Sequence, residues 1–183
     1  MRELAVKRLT VDEFLDWDDG TDTRYELVDG QPMAMASATP EHNEIALAIS
    51  LALSNRIPAN CRVIPNQAVR HANDHWRSYV PDVLVTCEPR DKAKKAIEAP
   101  RLIVEVLSPS TASNDHGDKF DFYRAIPSVE EILFVASTTQ RIEVWRRVDS
   151  EWHAQLLGKG AVLTLAACDT PIPLDAIYGN VLD

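Results

Sequence analysis

Cysteine is scarce in this chain, with three residues, Cys61, Cys87 and Cys168. They are widely separated, odd in number and form no C-x-x-C pair, which argues against a disulfide scaffold or a zinc ribbon. The expectation is three reduced, partly buried thiols. Long apolar runs are missing as well, and no stretch approaches the length needed to cross a bilayer. The opening residues, MRELAVKRLT, lack an apolar core of signal-peptide length and a small-residue cleavage pattern. A cytoplasmic location with no membrane partner is therefore expected. Basic residues are outnumbered, with 19 Lys and Arg against 28 Asp and Glu, a formal net charge of −9. Such a balance counts against an extended nucleic-acid-binding surface, which leaves a basic footprint. It is compatible with a local basic groove, or with a metal site that bridges to phosphates. Internal repeats, low-complexity tracts and linkers are absent too.

What remains is an ordinary globular composition, 45% hydrophobic and 26% charged over 183 residues, enough for one domain with a single core spanning 1–183. Thr10-Val11-Asp12-Glu13 matches a capping box and starts a short helix carrying Phe14, Leu15 and Trp17. Tyr25 to Val28, Asp29-Gly30, then Gln31 to Ala36 reads as a hairpin on a two-residue turn. Pro40 and Glu41 open a longer helix, with Ile45, Ala48, Ile49, Ala52 and Leu53 at helical spacing and Pro58 beyond its end. It is apolar on more than one face and is expected to be substantially buried.

Strands are expected at Arg62 to Val69, Tyr79 to Cys87 and Leu102 to Leu107, the last two being nearly continuous aliphatic runs of the kind found in central strands. Asp115 to Arg124 reads as a helix ending at Ile126-Pro127, and Glu131 to Ala136 as a further buried strand. Arg141 to Arg147, Trp152 to Leu157 and Ala161 to Leu165 resemble an antiparallel meander, followed by a turn of helix in Pro171 to Tyr178. The order predicts an α/β (mixed α+β) fold, a central mixed sheet flanked by helices.

Two carboxylates interrupt the apolar runs. Glu105 lies within Leu102-Ile103-Val104-Glu105-Val106-Leu107, and Asp82 within Val80-Pro81-Asp82-Val83-Leu84-Val85. A buried ionised carboxylate is costly unless paired or metal-bound. Two acids brought together by neighbouring strands repel, and a Mg²⁺ or Mn²⁺ ion between them removes the repulsion. The competing reading puts each acid at a strand end, paired with an arginine or capping a turn.

Beyond the polar turn Ser108-Pro109-Ser110-Thr111, the helix carries Asp115, Lys119 and Tyr123 at i, i+4 and i+8, on one face. A lysine aimed at a two-carboxylate site can stabilise phosphoryl charge or help orient an attacking water. Its plainer role is an exposed pair with Asp115. Glu26 repeats the buried-acid anomaly more weakly, and His42 at the start of the long helix can meet the metal edge of the sheet or bond nearby backbone.

The blocks Tyr25-Glu26-Leu27-Val28-Asp29-Gly30, Pro40-Glu41-His42, Pro81-Asp82-Val83 and Val104-Glu105-Val106-Leu107-Ser108-Pro109-Ser110-Thr111, with Asp115, Lys119 and Tyr123 after them, resemble the Uma family of "putative restriction endonucleases". The likeness runs from about Leu9 to Arg147 and is similar to a branch of the PD-(D/E)xK nuclease superfamily. It implies a restriction-endonuclease-like sheet with a metal site at one edge. It further implies Asp82 as the Pro-Asp acid, Glu105 as the (D/E) acid and the Val106 carbonyl as a third metal ligand. Leu107 occupies the position that the superfamily gives to lysine, so the resemblance moves that role to Lys119 on the next helix.

The leading expectation is a Mg²⁺-dependent (or Mn²⁺-dependent) endonuclease acting on DNA, with Asp82, Glu105 and Lys119 catalytic and Glu26, His42, Asp115 and Tyr123 auxiliary. The alternative is a catalytically weak or inactive module of the same fold that binds nucleic acid or a protein partner. A homodimer through the C-terminal meander, with Trp145 and Trp152 at its interface, is compatible with either. His71 and His75, four apart in a polar, turn-prone stretch, read as part of a solvated loop rather than as a zinc pair. Arg70, Trp76 and Arg77 beside them are candidates for a nucleic-acid backbone contact or base stacking. Ser108, Ser110 and Thr111 have no nucleophile context.

Overall fold

The computed structural model describes residues 8–107, 115–179 and 181–182. The polar turn after Leu107 lies outside the described residues, as does the Asp115 side chain.

Helix α1 (Val11–Leu15) starts on a formed capping box, with Thr10 and Glu13 exchanging side-chain and backbone bonds. Strands β1 (Tyr25–Val28) and β2 (Gln31–Ala34) make the expected hairpin. Its turn residues Asp29 and Gly30 have φ of 49° and 80°, as a type I′ turn requires. Gly30 is also demanded by space, since a Cβ there would lie 2.9 Å from the Arg8 side chain and 3.0 Å from the Trp76 ring. Helix α2 (Pro40–Ser54) buries Ile45, Ile49, Ala52 and Leu53 but leaves Leu47 and Leu51 exposed, so it is half covered rather than enclosed.

The strand expected from Tyr79 to Cys87 is two strands in two sheets. The first, β5 (Ser78–Tyr79), closes a four-stranded sheet ordered β2-β1-β5-β4, where β4 is Val69–Arg70. The second, β6 (Val83–Thr86), belongs to the main sheet. Pro81 lies between them and has no N–H to extend a ladder. The strand expected from Arg62 to Val69 divides likewise. Only β3 (Arg62–Pro65) joins the main sheet, and the chain turns away at Asn66, whose φ is 53°.

The main sheet has six strands in the order β10-β9-β8-β7-β6-β3, with β7 at Pro100–Leu107, β8 at Glu131–Ala136, β9 at Arg141–Val148 and β10 at Glu151–Gly158. Only β7 and β8 are parallel. Helix α3 (Phe120–Ala125) lies in the crossover that a parallel pair needs. The meander has two strands of the expected three. Strand β11 (Val162–Leu163) leaves it to pair with β12 (Ile172–Pro173), ahead of α4 (Asp175–Tyr178).

Alternation along the central strands sorts the core. Val83, Val85, Leu102, Val104, Val106, Leu133 and Val135 pack with α2 on one face. Leu84, Ile103, Ile132 and Phe134 pack with Phe122 and Tyr123 of α3 on the other. Trp145 and Trp152, expected at a dimer interface, pack on Phe120 of their own chain, with ring centroids 4.7 and 6.2 Å away. No helix among the described residues is long and apolar enough to cross a membrane.

The cysteines depart from expectation. Cys61 and Cys87 form a disulfide, with Cα atoms 4.0 Å apart, and Cys168 alone is free. They flank the Arg62↔Thr86 pair of β3 and β6, a proximity that arises only when the strands pair. Burial pushes the Cys168 thiol up to about 11. The bridge spans 26 positions. Chain-entropy arguments give a loop of that size about 3–4 kcal/mol of stability. Cys61→Ser is expected to lose that amount in urea unfolding, and reductant should bring the wild type down to the same midpoint. Identical oxidised and reduced midpoints would refute this.

Candidate active site

The site lies where β7 ends and β6 begins. These strands pair antiparallel with Val83 opposite Val104, Leu84 opposite Ile103 and Val85 opposite Leu102. One step further sets Asp82 opposite Glu105, and cross-strand partners project from the same face of a sheet. This is the face that also carries Leu84 and Ile103. Side chains on opposite faces would have ended the idea of a joint site.

Asp82 is held by two elements. The Val106 N–H donates to its Oδ2 at 2.7 Å. His42 Nε2, on the first turn of α2, lies 2.9 Å from its Oδ1. Thr39 caps that helix by accepting the His42 N–H, which fixes where the imidazole starts. Helix α2 packs on the opposite sheet face, and His42 reaches the acid because the helix begins at the sheet edge. The backbone continues the ladder past Asp82, whose carbonyl accepts the Asn66 N–H at 3.0 Å.

Glu105 is held from the other side. The Tyr123 hydroxyl donates to its Oε1 at 2.7 Å, and Lys119 Nζ lies 3.4 Å from the same oxygen. Lys119 and Tyr123 are i and i+4, so their adjacency follows from helical spacing. The regular face does not extend back to Asp115. A π-helical turn spans Asp115–Lys119, with Gly117 at φ −99° and ψ −105°, and Lys119 becomes the residue that caps α3. Asp115 as an auxiliary residue thus falls outside the described side chains.

The second sheet supplies Glu26. Register puts Leu27 opposite Ser78, hence Glu26 opposite Tyr79. Its Oε1 accepts the Val80 N–H at 3.0 Å and lies 2.9 Å from Lys119 Nζ. The ammonium therefore sits between Glu26 and Glu105 rather than between Asp82 and Glu105, and Glu26 is more central than the sequence implied. Side-chain exposure is 15% for Asp82, 14% for His42, 13% for Glu26 and Lys119, and 5% for Glu105. Beside them the Tyr79 ring lies 5.8 Å from Lys119 Nζ. Its hydroxyl is buried with no hydrogen-bond partner among the described residues. Burial, reinforced by the charge of Asp118, pushes that phenol up to about 12, so it stays neutral.

The donor set suits a small hard cation. Asp82, Glu105 and Glu26 bring three carboxylates to one edge, and Lys119 is the ammonium that meets two of them. Formal charge is left over on the acids, and a divalent cation would offset it. Each oxygen of Asp82 uses one lone-pair direction on a described partner and has another to offer. The N–H and C=O of one strand residue point to the same side, so the Val106 carbonyl faces the Asp82 side as its N–H does. Among the described residues no group of three or more His, Cys, Asp and Glu is arranged as a metal cage. Two acids and a carbonyl fall below that count but match Mg²⁺, which keeps several waters and binds through one or two carboxylates.

The other sequence candidates are not part of this cluster. Arg70 pairs with Asp12 at 2.6 Å, and Arg77 with Asp74 at 2.6 Å. Hydrogen bonds from Trp76 and Arg77 hold the Asp74 carboxyl below its ordinary value, against its burial. The Arg8 guanidinium lies 4.6 Å from the Trp76 ring, which stays exposed. His71 accepts the Asn73 N–H within the loop, consistent with the plain loop reading.

Tyr123→Phe removes a donor from a buried carboxylate. It is expected to cost about 1–3 kcal/mol in denaturant unfolding and to weaken divalent-metal affinity about 10–100-fold in titration calorimetry. Unchanged affinity would mean the hydroxyl does not orient Glu105.

A family model described as "Putative restriction endonuclease", Uma2, matches residues 11–168. Two uncharacterized proteins of Synechocystis are similar along nearly their whole length. One is 32% identical over 174 residues, covering 93% of this chain and 92% of the relative. The other is 33% identical over 163 residues, covering 86% and 92%. The fold is similar to the crystal structure of an Anabaena variabilis protein described as "a putative nuclease", with a TM-score of 0.75, 17% identity, and coverage of 95% of this chain and 99% of that one.

Proposed function

This chain belongs to the Uma2 family, and from that membership together with the acids at the β6–β7 edge we propose that it is a divalent-metal-dependent endonuclease hydrolysing phosphodiester bonds in DNA. The observation that carries the reading is the pairing of Asp82 with Glu105 across two strands, with Lys119 Nζ 3.4 Å from Glu105. Asp82, Glu105 and the Val106 carbonyl would hold Mg²⁺ or Mn²⁺. When bound, such an ion polarises the phosphate and lowers the pKa of water.

The chain's own groups do the rest. The Val106 N–H and His42 fix both oxygens of Asp82. Tyr123 orients Glu105 by donating to Oε1. Lys119 brings a positive charge to where a phosphorane-like transition state gathers negative charge. Glu26 holds that ammonium in place at 2.9 Å. Burial of the cluster strengthens each of these interactions relative to water.

The test is conversion of supercoiled plasmid DNA to nicked and linear forms. Cutting is expected with Mg²⁺ or Mn²⁺ and none in chelator. No cutting by well-folded protein under any divalent metal would remove the enzyme reading. The rival, a binding module of the same fold, draws on the net charge of −9 and on Leu107 in the superfamily's lysine position. It predicts DNA retention without cleavage in that assay. We place the activity in the cytoplasm and in a homodimer, in which two sites cut the two strands. A strictly monomeric mass by light scattering at high concentration would remove the dimer.

A further inference from the structure

Arg24 differs from the arginines of this chain that pair with carboxylates. Arg70, Arg77, Arg101, Arg124 and Arg146 are spent on carboxylates. Arg24 is exposed, and its recorded side-chain bond is to a neutral amide, from its Nη2 to Asn66 Oδ1 at 3.1 Å.

Two independent features place it beside the acids. Asn66 is the residue whose backbone N–H bonds the Asp82 carbonyl, so this one residue, through its backbone and its side-chain amide, links Arg24 to the backbone of the site acid. Asn is among the few residues that tolerate the left-handed φ of 53° found there. The second feature is register. The Met35 N–H donates to the Arg24 carbonyl at 2.8 Å, carrying the β1–β2 ladder one rung beyond Tyr25↔Ala34. Arg24 thus continues β1, and two residues on, Glu26 projects from the same face into the cluster. Their Cα atoms are about 7 Å apart at the rise of an extended strand. The backbone of Arg24 is fixed by the hairpin and its guanidinium is braced by Asn66. An exposed, braced cation at the rim of an acidic cluster suits an anion approaching that cluster.

We infer that Arg24 forms a phosphate subsite that binds a backbone phosphate adjoining the one that is cut. The inference rests on the endonuclease reading above and deepens it. It makes the substrate a polymeric strand rather than an isolated phosphodiester, because the guanidinium engages a second phosphate. A bidentate fork on phosphate oxygens is what arginine offers and lysine does not. In an acidic chain it also supplies a local attraction that the net charge lacks.

The experiment compares wild type, Arg24→Ala, Arg24→Lys and Arg90→Ala on a short fluorescein-labelled DNA duplex. Arg90→Ala removes the same charge from the exposed segment that follows the far end of β6. Cleavage in Mg²⁺ gives KM and kcat, and anisotropy in EDTA over a range of salt gives the salt slope of binding. Arg24→Ala is expected to raise KM about ten-fold with kcat within about two-fold, the signature of lost uniform binding. It should also reduce the salt slope by about 1. Arg24→Lys should recover the slope but only part of KM, and Arg90→Ala should match the wild type. An unmoved KM and slope in a folded Arg24→Ala protein overturn the subsite and leave the endonuclease standing. A wild type that neither binds nor cuts the duplex overturns both.

Discussion

Asp82→Asn is expected to lower metal-dependent DNA cleavage by at least about a hundred-fold, the scale of losing one oriented electrostatic partner in a reacting site. Asparagine keeps the size of aspartate but not its charge, and it turns one acceptor into a donor. Both oxygens of Asp82 are occupied by nitrogens, Val106 N at 2.7 Å and His42 Nε2 at 2.9 Å. One orientation of the new amide keeps its oxygen on the Val106 N–H and turns its NH₂ to His42 Nε2, which accepts it in the Nδ1–H tautomer, so the contacts persist while the charge is lost. Metal affinity should fall in the same variant, measured by Mn²⁺ titration calorimetry. Stability should not fall with it. In metal-free protein the thermal midpoint is expected to hold or rise, because one of three clustered carboxylates is neutralised. Loss of activity with an intact fold separates a role in chemistry from one in folding. Wild-type cleavage rates in the variant would exclude Asp82 from the reaction.

Lys119→Met should lower both stability and activity. The ammonium lies 2.9 Å from Glu26 and 3.4 Å from Glu105, and all three side chains are mostly buried. Removing one partner of a buried pair costs about 3–5 kcal/mol, since the remaining charge stays desolvated. With 13% of the lysine and Glu26 side chains still exposed, about 3 kcal/mol is the better figure here. The gap to wild type should narrow in Mg²⁺, which supplies positive charge that binds only the folded site. Cleavage is expected to drop at least about a hundred-fold with the loss of transition-state charge stabilisation. A gap that ignores Mg²⁺ would show that Lys119 is not the counter-ion of this cluster.

Glu105 was legible because its neighbours are Val104 and Val106 in an unbroken strand, where a charge has no cheap explanation. Lys119 and Tyr123 were legible as a pair because four residues make one helical turn. Glu26 was underestimated. Its partners Lys119 and Val80 are far away in the chain, and only the pairing of β1 with β5 brings them near. The disulfide was missed for the same reason. Spacing along the chain does not show that Cys61 and Cys87 stand side by side across the β3–β6 pair. The long strand expected at Tyr79 to Cys87 reads as continuous because hydrophobicity says nothing about which sheet a residue joins. The interruption at Pro81 sends its two halves to different sheets and leaves Asp82 at the seam.

Local chemistry in the sequence determined the helix caps, the hairpin turn, the alternation of the central strands and the identity of the acids. Those features depend on neighbours within a turn or a strand. Tertiary structure alone decided that Asp82 and Glu105 share a face, that Lys119 sits between Glu26 and Glu105, and that Arg24 stands braced at the rim. These are relations of register between distant segments. In a sheet, a slip of one residue would have sent every such side chain to the other face.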